Sequence, residues 1–140
     1  MRLPPLLRVQ QVVVRILYYA RAVDLTALTT LTTLGSKQAK ATSRTLKSTE
    51  QLLDYLATHP NASLQYYASA KVLNNHSDAS YSSERGAKSR AAGHYFLGWK
   101  PRNNAPIRLN GAIYTLCNIM KFVASSAAEA EIGTLFMNAK

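Results

Sequence analysis

The sequence predicts an α+β protein in which a helical segment precedes antiparallel strands with one packed helix. Three observations predict this class. Apolar residues recur at helical spacing through residues 6–59, short runs rich in aromatic and branched residues follow Pro60, and a helix-capping pattern begins at Ser126. The residue pattern changes at Pro60, and this change divides the chain into segments 1–60 and 61–140. A length of 140 residues fits one domain, or one small domain with an attached segment.

Three helices are predicted in the first segment. Residues 6–23 place apolar side chains on one side of a helix, with arginines on the other. Asp24 is a suitable N-cap for a second helix, which Gly35 would end. A third helix is predicted from the leucines of residues 46–57, and it would end at His59-Pro60. These helices carry no catalytic pattern, so we interpret them as core packing.

Strands and a final helix are predicted in the second segment. The Asn110-Gly111 pair is a strong hairpin signal. Ser126 and Glu129 have the spacing of a capping box, and the helix that follows has Ile132, Leu135 and Phe136 on one side. The predicted strands are Leu64–Tyr67, Val72–Asp78, Gly93–Trp99, Pro106–Leu109 and Ala112–Cys117.

The formal charge of +10 favours a polyanionic partner, with nucleic acid the first candidate and an anionic membrane the second. The most apolar stretch, residues 12–20, is interrupted by Arg15 and is shorter than the roughly 20 residues that a membrane span requires. Cys117 is the only cysteine, so the sequence offers neither an internal disulfide nor a cysteine-based zinc site. We therefore expect an intracellular protein, cytoplasmic or nuclear, that is not secreted and not membrane-bound.

Two carboxylates are candidates for chemistry among the seven in the chain. Asp78 ends an apolar strand, where it is either a turn or cap residue, or a metal ligand or general base. Glu129 is accounted for by the capping box. Glu131 lies roughly 200° further around the helix and cannot share that role. We expect the Glu131 carboxylate to face the apolar sheet, where it needs a partner that compensates its charge. A divalent cation bound by both Glu131 and Asp78 would be such a partner.

Other classes of site lack their patterns. The three histidines do not have the spacing of zinc ligands, and no serine lies in a GxSxG elbow. The glycines form neither a GxGxxG motif nor a P-loop. Basic residues bracket the predicted strand Gly93–Trp99, where they form either a solvated rim or contacts to phosphate groups. The residues considered for phosphate contact are Lys88, Arg90 and Arg102.

Three stretches resemble the ribonuclease H region of copia-type retrotransposon polyproteins. That region has a Ser-Asp-Ala segment, a basic segment followed by Gly-aromatic-x-Phe-Leu-Gly, and a helix start of the form Ser-Ser-x-x-Glu-Ala-Glu. The matching stretches are Ser77–Tyr81, Lys88–Gly98 and Ser125–Glu131. Residues 16–20 and 51–56 are similar to the thumb and connection segment that precedes ribonuclease H in those polyproteins. The resemblance covers nearly the whole chain.

The resemblance implies a ribonuclease H fold and two-metal hydrolysis of the RNA strand of an RNA–DNA hybrid. It assigns Asp78 and Glu131 as catalytic residues and ligands of Mg²⁺, and Lys88, Arg90 and Arg102 as nucleic-acid contacts. The family has two further acids on later elements, whereas no Asp or Glu follows Glu131 here. We therefore expect a fragment of a reverse transcriptase and ribonuclease H polyprotein that is inactive without the remainder of that polyprotein.

Two alternatives remain open at this point. One is a non-catalytic basic module that binds nucleic acid, and the other is a transposon remnant without function.

Overall fold

The structure is a computed structural model that describes residues 5–102 and 105–140. Its backbone contacts form two compact units, Met1–Leu64 and Gln65–Lys140. The described part of the first unit is helical, and that of the second combines an antiparallel sheet with one helix. This combination agrees with the predicted α+β class. Within the two described ranges, none of the helices has the length and apolar character that crossing a bilayer requires.

The first unit contains the helices α1 (Pro5–Ala22), α2 (Leu28–Lys37) and α3 (Ser43–Thr58). Asp24 acts as a cap, since its side chain accepts a hydrogen bond from the Thr26 N–H at 3.1 Å. That cap begins a single 3-10 turn ahead of α2. The side chains buried in this unit are mainly aliphatic, and they include Val9, Val13, Leu28, Leu31, Leu34 and Leu52.

The predicted end of α2 at Gly35 is wrong, because the helix continues to Lys37. A glycine that ends a helix has a positive φ, and among the described glycines only Gly86 has one. A β-carbon at Gly35 would lie 3.7 Å from Val13 Cγ1. Gly35 therefore lies inside α2, at its contact with α1.

The second unit contains the strands β1 (Val72–Glu84), β2 (Lys88–Gly98) and β3 (Ala112–Ile119), and the helix α4 (Ala127–Asn138). The strand order is β1-β2-β3, and both pairings are antiparallel. A tight turn joins β1 to β2, where Gly86 and Ala87 have φ values of 72° and 55°. The helix α4 packs on β1 and β2.

Two predicted strands, 64–67 and 106–109, do not form, and the hairpin predicted at Asn110-Gly111 is wrong. The Asn110 side chain is 8% exposed and satisfies backbone groups that strand pairing would have satisfied. Its Oδ1 accepts a hydrogen bond from the Tyr67 N–H at 2.8 Å. Its Nδ2 donates to the carbonyl groups of Tyr67 and Leu97 at 2.9 and 2.7 Å. One side chain thus links two irregular segments to the end of β2.

The helix α4 faces the sheet with its small and polar side chains. Its buried residues are Ala130, Thr134 and Asn138, four positions apart. The large apolar residues that the sequence predicted on one side of this helix, Ile132, Leu135 and Phe136, are exposed. The sheet beneath α4 also has small residues, so the helix approaches it closely. One buried cluster of this unit consists of Ala91, Met120, Ala124 and Ala130, and Phe96 is also fully buried.

Candidate functional site

Asp78 lies in the middle of β1, opposite Ala92 of β2, and its side chain is exposed. The residues on either side of it contact α4. Ser77 Oγ accepts a hydrogen bond from Asn138 Nδ2 at 3.2 Å, and Ala79 packs against the buried core. Because successive side chains of a strand point to opposite faces, the Asp78 side chain lies on the face away from α4.

Glu131 lies in the second turn of α4 and is partly buried. Its Oε1 accepts a hydrogen bond from the backbone N–H of Ala79 at 3.3 Å. Strand N–H groups lie in the plane of the sheet, and β1 forms one edge of the described sheet. The Glu131 carboxylate therefore reaches the edge of β1 beside the residue that follows Asp78. Glu131 thus reaches the stretch of strand that carries Asp78, but the Asp78 side chain lies on the opposite face of the sheet, contrary to the expectation that the two side chains share one face.

Three contacts fix the position of α4 along β1. Asn138 Nδ2 binds Ser77 Oγ, Glu131 Oε1 binds the Ala79 N–H, and the Tyr81 hydroxyl donates to the Ser125 carbonyl at 3.2 Å. The three β1 residues alternate along the strand and lie on both sides of Asp78. The position of Glu131 relative to Asp78 is thus set by contacts that involve both ends of the helix.

The helix cap holds Glu129 away from this pair. As predicted, Ser126 is the N-cap, and its Oγ accepts from the Glu129 N–H at 3.1 Å. The Glu129 carboxylate differs from the predicted capping box because it reaches one residue further back. Its Oε2 accepts from Ser125 Oγ at 2.5 Å and from the Ser125 N–H at 2.7 Å. These hydrogen bonds hold the pKa of Glu129 below its ordinary value.

The donor atoms of Asp78 and Glu131 are the type that Mg²⁺ prefers, because that ion binds hard oxygen ligands. Glu131 uses Oε1 for the Ala79 N–H, and Oε2 accepts no hydrogen bond from the described residues. Within residues 5–102 and 105–140, no group of three or more His, Cys, Asp or Glu side chains could hold a metal ion. Both side chains carry oxygen ligands of this kind, but Asp78 lies on the face of the sheet away from α4 whereas Glu131 reaches β1 from α4, so this geometry does not bring the two carboxylates together as ligands of one ion.

The three basic residues assigned to nucleic acid occupy different environments. Lys88 begins β2 and is half-buried, whereas Arg102 is exposed beyond the other end of that strand. An eleven-residue strand is roughly 35 Å long, so these two residues are not neighbours. Arg90 is 6% exposed, and its guanidinium binds Glu84 Oε1 through Nε at 3.0 Å and Nη2 at 2.5 Å.

The positive charge of Arg90 is compensated by its buried ion pair with Glu84. Burial alone would lower the pKa of Arg90, but hydrogen bonds to Glu84 and Cys117 outweigh it, and the pKa is raised. The Arg90 guanidinium is thus held within the sheet. Of the three basic residues, Lys88 and Arg102 are the ones with exposed area for a phosphate group.

A second cluster, which the sequence interpretation missed, lies where β1 begins and β2 ends. The guanidinium carbon of Arg108 is 5.2 Å from the centroid of the Tyr67 ring and 5.3 Å from that of the Trp99 ring. We call Tyr67, Trp99 and Arg108 the aromatic patch. Its sequence signal was weak, because Tyr67 is more than 30 positions before the other two residues.

Comparisons with known proteins give no relative from which a function could be transferred. No family model matches the chain, and neither the curated proteins nor the solved structures give a significant match. The functional argument therefore depends on the residues and contacts of this chain.

Proposed function

We propose that the second unit is the first part of a ribonuclease H-like domain from a retrotransposon polyprotein. In this proposal Asp78 and Glu131 hold Mg²⁺ for hydrolysis of the RNA strand of an RNA–DNA hybrid. The observation that carries the proposal is the hydrogen bond from the Ala79 N–H to Glu131 at the edge strand β1, and the proposal requires the Asp78 side chain to turn around that edge toward Glu131. The order of three antiparallel strands and one helix is compatible with it, as are the three stretches that resemble that family.

Each residue has a distinct role in this proposal. Asp78 is exposed and supplies a carboxylate that solvent and substrate can reach. Glu131 is positioned by Ala79 and supplies its second oxygen. A bound Mg²⁺ would polarise a phosphate oxygen and lower the pKa of a coordinated water. Lys88 and Arg102 would contact phosphate groups of the hybrid. Arg90, which is paired with Glu84, would support the sheet instead.

Residues 1–140 alone are expected to show no cleavage of an RNA–DNA hybrid in Mg²⁺ or Mn²⁺. Two-metal hydrolysis needs an ion on each side of the scissile phosphate, and the described residues contribute two carboxylates at this position. The measurement is an assay of a hybrid with labelled RNA, with an Asp78→Asn variant beside the parent chain. Equal background from both proteins is the expected result. Cleavage that only the parent chain performs would contradict it.

A non-catalytic module that binds nucleic acid is the second candidate. It is favoured by the absence of any Asp or Glu from residues 85–128, which carry Arg85, Lys88, Arg90, Lys100, Arg102, Arg108 and Lys121. The two candidates differ in one measurable property. A binding module gives Asp78 and Glu131 no special affinity for a divalent cation, whereas the ribonuclease H proposal requires it.

A further inference from the structure

The aromatic patch exposes both an aromatic ring and a positively charged side chain to solvent. Tyr67 is 48% exposed, Arg108 is exposed, and Trp99 is half-buried. A guanidinium within about 6 Å of a ring centroid is attracted to the ring face. Arg108 meets this condition for both rings at once. The patch therefore offers flat apolar surfaces together with a cation on a long, exposed side chain.

Hydrogen bonds hold the Tyr67 backbone in place. Asn110 binds both the N–H and the carbonyl of Tyr67, and it also binds the Leu97 carbonyl. Ser69 Oγ donates to the same Leu97 carbonyl at 3.0 Å. Trp99 directly follows the last residue of β2. The backbones of both residues are thus attached to one end of the sheet, which limits the conformational freedom lost when a ligand binds to their rings.

The charge around the patch is positive. Lys71, Lys100 and Arg102 are exposed and close to patch residues in the sequence. Asp78, the first carboxylate along β1, lies six residues beyond Val72, which is roughly 20 Å in an extended strand. The patch is therefore complementary to a polyanion and is separate from the Asp78 and Glu131 pair.

We infer that the aromatic patch is a binding site for single-stranded nucleic acid. An unpaired base stacks against the rings of Tyr67 and Trp99, and the exposed Arg108 side chain turns to a neighbouring phosphate. Stacking on an aromatic side chain requires a base whose face is accessible, which a duplex does not provide along its length. The inference does not depend on hydrolysis or on a metal, because it uses neither Asp78 nor Glu131.

The single tryptophan of the chain makes the test direct, since Trp99 fluorescence reports only on the patch. A short oligouridine is titrated into the full chain at low salt, with binding followed by Trp99 emission and by anisotropy of a label on the RNA. We expect quenching of Trp99 that saturates together with the anisotropy. Trp99→Leu and Tyr67→Leu should each weaken binding about tenfold. Trp99→Phe keeps a ring and should retain most of the affinity.

Two control variants separate stacking from general charge and from general aromatic content. Lys121→Gln removes an exposed positive charge outside the patch, and Tyr18→Leu removes an exposed ring from the first unit. Each should change the affinity by less than about twofold. Circular dichroism checks that the variants are folded. The quenching of Trp99 emission is measured on the parent chain, so this result does not depend on the folding of any variant.

Three results would overturn the inference. The first is RNA binding that leaves Trp99 emission unchanged. The second is a loss of affinity in Trp99→Leu no larger than in the two control variants, or an equal loss in Trp99→Phe. The third is equal quenching by a blunt duplex of the same length, which would show that unpaired bases are not what the patch recognises.

Discussion

Glu84→Ala is expected to lower the free energy of unfolding of the second unit by about 3 kcal/mol. The side chains of Arg90 and Glu84 are only 7% and 18% exposed, and their closest N···O distance is 2.5 Å. Removal of Glu84 leaves the Arg90 guanidinium in the sheet without its counter-charge, which costs more than the pair itself contributes. Denaturant unfolding followed by Trp99 fluorescence measures this effect, because Trp99 lies in the second unit.

The matched control is the ion pair of Arg8 and Glu50 in the first unit. Its side chains are 48% and 50% exposed and its N···O distance is 3.7 Å. Glu50→Ala should change the stability of the first unit, followed by helical circular dichroism because Trp99 lies in the second unit, by less than about 1 kcal/mol, because solvent screens exposed pairs. Replacing both Glu84 and Arg90 by apolar residues should recover most of the stability lost in Glu84→Ala. A loss below about 1 kcal/mol for Glu84→Ala would contradict the inference that Glu84 compensates the charge of Arg90 within the sheet.

Gly93→Ala is expected to destabilise the second unit by about 2–4 kcal/mol. A β-carbon at Gly93 would lie 1.9 Å from Asn138 Oδ1. Asn138 cannot move without breaking bonds, since its Nδ2 donates to Ser77 Oγ, the Ala92 carbonyl and the Thr134 carbonyl. The added methyl group would push the end of α4 off the sheet. Hydrogen exchange of the α4 amides, beside Trp99 unfolding curves, measures the effect.

Gly35→Ala is the matched control in the first unit, and its effect on stability, followed by helical circular dichroism, should have the opposite sign. The β-carbon would make an ordinary 3.7 Å contact with Val13 Cγ1, and alanine is favoured over glycine inside a helix by about 0.5–1 kcal/mol. Combining Gly93→Ala with Asn138→Ala tests the cause, because removal of the Asn138 side chain removes the overlap. The double variant should then be less destabilised than the sum of the two single changes. Additive effects would contradict the overlap at Gly93.

The elements that the sequence predicted well are those whose signal is local. The position of α1 follows from apolar periodicity, and the start of α4 follows from Ser126 as N-cap. The predicted strand ended at Asp78, whereas β1 continues from Ala79 to Glu84. This half forms a strand because it pairs with β2, with Ala79 opposite Ala91 and Glu84 opposite Lys88. Tertiary pairing overrides local propensity there.

Two other failures come from contacts between residues that are distant in the sequence. Asn110 was interpreted as a turn residue, yet it replaces strand pairing by binding Tyr67 and Leu97. The outward direction of Ile132 and Phe136 follows from small residues on the sheet, which admit only the small side of α4. Neither the contacts of Asn110 nor the outward direction of Ile132 and Phe136 can be inferred from the residues next to them in the sequence.

The candidate site was predictable only in part. Asp78 was selected as a carboxylate at the end of a strand, whereas the structure places it in the middle of β1, and Glu131 was selected because the cap already used Glu129. The hydrogen bond from Ala79 to Glu131 depends on how α4 is positioned along β1, which the contact of Asn138 with Ser77 helps to fix. The assignment of Arg90 to nucleic acid did not foresee its burial, because Glu84 lies across a turn that local reasoning did not place.

The most direct test of the proposed metal centre is Mn²⁺ titration of the chain, observed through paramagnetic broadening of backbone amide signals. The signals of Asp78, Ala79 and Glu131 should broaden first. Asp78→Asn and Glu131→Gln should each weaken Mn²⁺ binding by about tenfold or more, whereas Glu129→Gln, which makes the same charge change on the same helix, should leave it unchanged. Broadening centred elsewhere, or an equal effect of Glu129→Gln, would contradict the proposal that Asp78 and Glu131 hold a metal ion.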